Sequence, residues 1–182
     1  MIVGTGNLND PPEADGLAHF CEHMLFLGTE TYPTENYYSK FIGDNGGRKN
    51  GATGEDFTQF YFDIKNDQFE KALSIFAEFF KTPLFNQDGV ERELNAVDSE
   101  YKKNLSNEMR RQIQILKSDL CTEDSPMRGF GTGNKETLDV PHVREWMIKY
   151  YQEHYSANIM SLCLVGNHSL DALQAFAVDN FS

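Results

Sequence analysis

Apolar residues recur along this chain at two periods, every three to four residues and every second residue, and the changes between them outline its elements. Leu17, Ala18, Phe20, Cys21, Met24, Leu25 and Leu27 form a strongly apolar helical stretch, which Asp15 is placed to cap and Gly28 to stop. A short second helix follows Pro33-Thr34 with Tyr37, Tyr38, Phe41 and Ile42, and Gly43, Gly46 and Gly47 turn the chain into a loop. FTQFYFDI, from Phe57 to Ile64, alternates with period two and has apolar residues on both faces, which predicts a strand covered on both sides. Phe69, Ala72, Leu73, Phe76 and Phe80 predict an amphipathic helix over 66–81, ended by Pro83. Val90, Leu94, Val97, Tyr101, Leu105, Met109, Ile113 and Leu116 step by four or three, the longest helical signal, with a bend expected near Asn104 to Asn107. A Gly-rich connection over Ser125 to Asn134 leads to a helix over 143–155, an extended stretch over 159–165 and a last helix over 169–181.

With Ile2 to Gly6 counted, three strands emerge against a majority of helices, so the class is α+β, a mixed or antiparallel sheet packed on several helices. Three strands do not cover that many amphipathic helices, so part of the fold is expected to be missing. Residues 1–182 are expected to form a single domain that is a piece of a longer one.

Composition narrows the function. With 40% apolar and 24% charged residues the chain has the make-up of a soluble globular domain. No apolar run is long enough to span a bilayer, and no membrane role is expected. A formal charge of -12 opposes nucleic-acid binding, which needs Lys and Arg to neutralise phosphates. Three cysteines, Cys21, Cys121 and Cys163, form no disulfide framework and suit a reducing compartment, so a cytoplasmic location is expected, with the mitochondrion as the alternative.

The chemistry lies in His19-Phe20-Cys21-Glu22-His23. On a helix, residues four apart differ by only about 40° in direction, so both imidazoles can reach one metal, and Glu22 sits at the edge of the same face as a general base. Cys21 points elsewhere and reads as a packed helix residue. A hydrolytic zinc site needs a third protein ligand. Within ERELNAVDSEY, Glu93 and Glu100 lie two helical turns apart on one face, and spacing alone leaves either as the candidate, while Glu91 and Asp98 point differently. The HxxEH order matches the inverzincin motif.

HFCEHMLFLGTETYP, NAVDSEYKKN and FGTGNKETL, with their surroundings, resemble the pitrilysin family of zinc metallopeptidases over nearly the whole chain, and its insulin-degrading branch more than the nardilysin branch, whose acidic insertion has no counterpart here. The resemblance implies a pitrilysin-like catalytic domain with one zinc ion held by His19, His23 and Glu100, Glu22 as the base, and Glu93 as a carboxylate supporting the ligands. It implies hydrolysis of peptide substrates that add as a strand beside Asn50, Gly51, Ala52 and Thr53, with Phe26 lining the site. It also marks departures. Gly51 and Ala52 stand where the family has alanine and an aromatic residue, Arg110 stands where the branch has tryptophan, and the half of the enzyme that encloses the substrate is absent, so the missing C-terminal half or another subunit is an expected partner. The alternative is a noncatalytic fragment or interaction subunit.

Overall fold

The computed structural model describes residues 1–182. Four antiparallel strands, β1 (Ile2–Val3), β2 (Arg48–Thr53), β3 (Thr58–Asp63) and β4 (Met160–Ser161), form one sheet in the order β2-β3-β1-β4. Eight helices accompany it: α1 (Leu17–Leu25), α2 (Tyr37–Asp44), α3 (Phe69–Ala77), α4 (Gln87–Leu105), α5 (Glu108–Leu120), α6 (Lys135–Leu138), α7 (Val143–His154) and α8 (Leu170–Phe181). The α+β class is as the periodicities predict.

The extra strand is β2, whose sequence RKNGAT has no apolar alternation because it is a sheet edge. Its six residues pair with β3 in continuous register, from Arg48 opposite Asp63 to Thr53 opposite Thr58. β3 is central, as expected, but it is not covered on both sides. Thr58 and Phe60 are fully buried, while Tyr61 on the other face is 47% exposed, so only one face of the sheet carries helices. The extended stretch expected over 159–165 contracts to the two residues of β4.

The core lies between that inner face and α1, α3 and α7. Phe60 meets Phe26, Phe80 and Tyr155 with ring centroids 5.4–6.4 Å apart, and Tyr38, Phe76 and Phe79 continue the aromatic layer. α1 is apolar almost all round because it packs on the sheet, α4 and α7 together. Its start differs from expectation. Gly16, in the left-handed region at φ 94°, occupies the cap position, and the capping carboxylate comes from Asp10, which accepts from the backbone N–H of Gly16 (2.8 Å) and Ala18 (2.7 Å). Asp15 instead accepts from Phe130 N–H (3.2 Å).

The long helical signal is two helices, broken at Ser106–Asn107 inside the stretch where a bend is expected, with the Asn107 side chain capping α5. Val90, Leu94 and Val97 of α4 are buried, whereas Met109, Ile113 and Leu116 of α5 are exposed, so the apolar stripe leaves the core at the break.

Candidate metal centre

α1 and α4 cross so that two histidines of one face two glutamates of the other. His19 Nε2 and His23 Nε2 each lie 3.7 Å from Glu100 Oε2, and the three residues offer ligand atoms all within 4.8 Å of one another. Glu93, one of the two carboxylates that spacing left open, is on the far side of the ring: it takes the Nδ1–H of His23 at 2.8 Å. His19 is fixed in the same way, its Nδ1–H donating to the Thr132 carbonyl at 2.7 Å. Both Nε2 atoms therefore face Glu100, and the partners behind them set the ring orientations. Asp98 turns away and accepts from Lys135 N–H at the start of α6.

Glu22 stands beside this triad, nearly buried, with Oε2 accepting from Thr53 Oγ at 2.6 Å. Burial raises its pKa above the ordinary carboxylate value, with the Thr53 hydrogen bond opposing. For His23, burial works against the charged ring, but contacts with Glu100 and Glu93 outweigh it and raise the pKa to about 9. The same pairing with His23, aided by His19 and opposed by burial, lowers Glu100 to about 2. Burial and the neighbouring His23 charge lower His19. The raised pKa of His23 means that a metal bound at its Nε2 competes with a proton there.

The triad opens into a cleft of about 680 Å³. One wall is β2 and the turn after it, from Asn50 to Glu55, and the other is α5 with Met109, Arg110, Ile113 and Lys117. Lys117 is paired with Glu55 across the cleft. Gly51 and Thr53 face Glu22, while Asn50 and Ala52 are on the alternate side of the strand, where the Asn50 side chain reaches Tyr61 Oη at 3.4 Å. Phe26 does not join the cleft. It is 8% exposed and lies among Tyr38, Phe60 and Phe79, with the Lys49 ammonium 4.0 Å from its ring centroid, so the site-lining role expected of it gives way to a core role.

Three contributors were not singled out from sequence. Thr132 supplies a backbone carbonyl, which no side chain announces. Its neighbours Gly131 and Gly133 have φ of 75° and 73°, and a Cβ on Gly16 would lie 2.2 Å from Gly133 Cα, so this Gly-rich segment closes directly onto the start of α1. Asn104, buried, donates to Thr132 Oγ at 3.2 Å. Asp10 holds the helix start from six and eight residues upstream, and burial pushes its pKa up to about 7.

Two imidazoles and a carboxylate converge at an open cleft, with a further carboxylate alongside, a donor set of the kind that can hold a divalent metal. Residues 1–123 match the model of Insulinase (Peptidase family M16), and residues 143–182 match that of the Peptidase M16 inactive domain. The chain belongs to Peptidase family M16. It is 45% identical to insulin-degrading enzyme of Bos taurus over its whole length and 46% identical to insulin-degrading enzyme-like 1, peroxisomal, of Arabidopsis thaliana over 96% of it, spanning 18% of each relative. A crystal structure of pitrilysin superposes on 99% of the chain with a TM-score of 0.94 and 32% identity, and the chain spans 19% of that molecule. The chain therefore spans about a fifth of the length of these relatives. The pitrilysin-like fold expected from the motifs is the fold observed, and the segments matched by the two family models share one sheet, because β4 pairs with β1.

Proposed function

We propose that this chain is the zinc-binding catalytic unit of an insulin-degrading-type metalloendopeptidase that hydrolyses peptide bonds in oligopeptides and small proteins. The observation that carries the reading is the convergence of His19 Nε2, His23 Nε2 and the Glu100 carboxylate within 4.8 Å. The donor set fits zinc: two neutral imidazoles and one carboxylate leave a fourth position open, and each ring already has its Nδ1–H engaged. A zinc ion held by His19, His23 and Glu100 would supply an activated water and a Lewis acid for a carbonyl oxygen. Glu22, beside that triad, would be the group that takes up a proton and hands it to the leaving amine, a role suited to a carboxylate whose pKa burial has raised. Glu93 and the Thr132 carbonyl keep the histidines aimed.

An extended peptide has a place to bind, since β2 is paired only with β3 and its other edge borders the cleft. Main-chain pairing along Asn50 to Thr53 accepts many sequences, and the apolar side chains of Met109 and Ile113 line the opposite wall. With about a fifth of the relatives' length in hand, enclosure of the peptide falls to further polypeptide or a partner subunit. No helix is long and apolar enough to cross a membrane. The cysteine usage favours cytoplasmic residence, with the mitochondrion as the alternative.

The test is elemental analysis of the purified chain beside His19→Ala, Glu100→Gln and Glu22→Gln, with a fluorogenic-peptide assay on each. One zinc per chain, lost in the first two and kept in the third, with cleavage abolished in all three, is expected. A metal-free parent overturns the reading. The second reading is a noncatalytic interaction module, which one zinc per chain without cleavage would support.

A further inference from the structure

Two cations of α5, Arg110 and Lys117, line the cleft. Seven residues apart, they share one face of the helix, about 10 Å from each other along its axis, with Ile113 and Gln114 between them. Their surroundings differ. Lys117 is half-buried and neutralised by Glu55 from the opposite wall. Arg110 is exposed, and every carboxylate that lines the cleft is engaged elsewhere: Glu55 with Lys117, Glu22 with Thr53, and Glu100 with His19 and His23. Glu108 and Asp119, the other acids of α5, lie outside the cleft, and Asn50 to Gly54 on the facing strand carry no charge. Arg110 is also close to the metal centre, since its charge adds to burial and to His23 in disfavouring protonation of His19. The cleft thus has one uncompensated cation on its wall, beside the candidate reaction centre.

We propose that Arg110 is a specificity residue, which gives this cleft a preference for peptides with an acidic side chain within two residues of the scissile bond. A peptide added to the free edge of β2 fills the space between that strand and α5, and its side chains on one side meet the α5 wall. There the guanidinium offers a planar fork of N–H donors that a carboxylate accepts two at a time, and Met109 and Ile113 provide apolar surface for the stem of the side chain. The formal charge of -12 on the whole chain opposes acidic peptides at long range, but that repulsion is screened beyond about 8 Å at physiological salt, whereas the pair with Arg110 forms in contact. The preference in cleavage rests on the metalloendopeptidase reading above. The affinity of the cleft for an acidic peptide does not.

A set of fluorogenic peptides carrying Glu, Gln or Lys in turn at each of the two positions on either side of the cleavage point tests the assignment. With the zinc-loaded parent, kcat/KM for the Glu peptide should exceed that for its Gln counterpart by about 5- to 20-fold at one of these positions, and the advantage should shrink in about 0.5 M salt. Arg110→Gln should remove the advantage. Arg110→Glu should invert it, so that the Lys peptide is cut best, a gain that a misfolded variant cannot show. A parent that treats Glu and Gln alike at every position overturns the proposal. So does a Glu advantage that survives in Arg110→Gln, which would belong to the metal, to which a carboxylate is also drawn. A parent that binds no zinc or cuts nothing overturns the proposed function instead, and affinity then judges Arg110. The same peptides, labelled with a neutral dye, should bind the Glu22→Gln chain in the order Glu, Gln, Lys by fluorescence anisotropy, with the order inverted when Arg110→Glu is added. No binding, or equal affinity for all three, overturns the assignment.

Discussion

The proton on His23 makes a quantitative prediction. Folding places this ring between Glu93 and Glu100 and raises its pKa from 6.5 to about 9. At about 1.4 kcal/mol per pH unit, the charged ring contributes about 3 kcal/mol to the metal-free fold. Because the folded pKa lies above the unfolded one, this stabilisation is fully present below pH 6.5 and is lost as the pH rises through 9. The depressed pKa of Glu100 is the same attraction viewed from its partner and is counted once. Urea unfolding in the presence of a chelator, at pH 6 and at pH 9.5, for the parent and for His23→Gln, isolates the effect from other titrating groups. The parent should exceed the variant by about 3 kcal/mol more at pH 6 than at pH 9.5. An equal difference at the two pH values refutes the argument, since the ring would then carry no extra proton in the folded state. The same proton competes with zinc, so the apparent zinc Kd should fall about tenfold per pH unit from pH 7 to 9.

Other outcomes follow from the packing and the ligand supports. Glu93→Gln should keep one zinc at saturation yet weaken its affinity about 10- to 100-fold in a competition titration, because only the hydrogen bond behind His23 changes. Gly133→Ala should destabilise the chain and weaken zinc binding together, as φ is +73° and the new Cβ would lie 2.5 Å from Leu138 Cδ1, disturbing the segment that presents the Thr132 carbonyl to His19. Asp10→Ala frees two backbone donors at the start of α1 and should cost about 1–2 kcal/mol in urea unfolding. Phe60→Ala, at a fully buried position of the central strand, should cost about 3–5 kcal/mol.

Sequence reasoning reached the elements whose burial repeats with a helical period. The face of α1, the Val90–Val97 stripe of α4 and the HxxEH spacing are all local patterns, and the structure keeps them. It fell short where the cause is not local. β2 is polar because its outer face meets water, so it announces no strand, and its place came through resemblance alone. The stripe running on through Met109, Ile113 and Leu116 has helical period but no core beneath it, since period reports secondary structure and not what covers a face. Asp15 stood at a favourable position for a cap, but the left-handed Gly16 leaves capping to Asp10, a choice made by tertiary closure. Spacing alone could not divide Glu93 from Glu100 because both lie on one face. Only the tilt of α4 across α1 gives one of them Nδ1 and the other both Nε2 atoms.

The contacts that arm α1 come from far along the chain: 31 residues separate Glu22 from Thr53, 70 separate His23 from Glu93, and 113 separate His19 from Thr132. A lone HxxEH helix has two imidazoles and none of the groups that aim them. High-affinity metal capture must therefore wait until sheet edge, crossing helix and Gly-rich segment have all docked, and contacts so distant in sequence form slowly. On the proposed zinc-binding reading, metal loading would report on folding, because a half-built chain has the histidines without the groups that aim them.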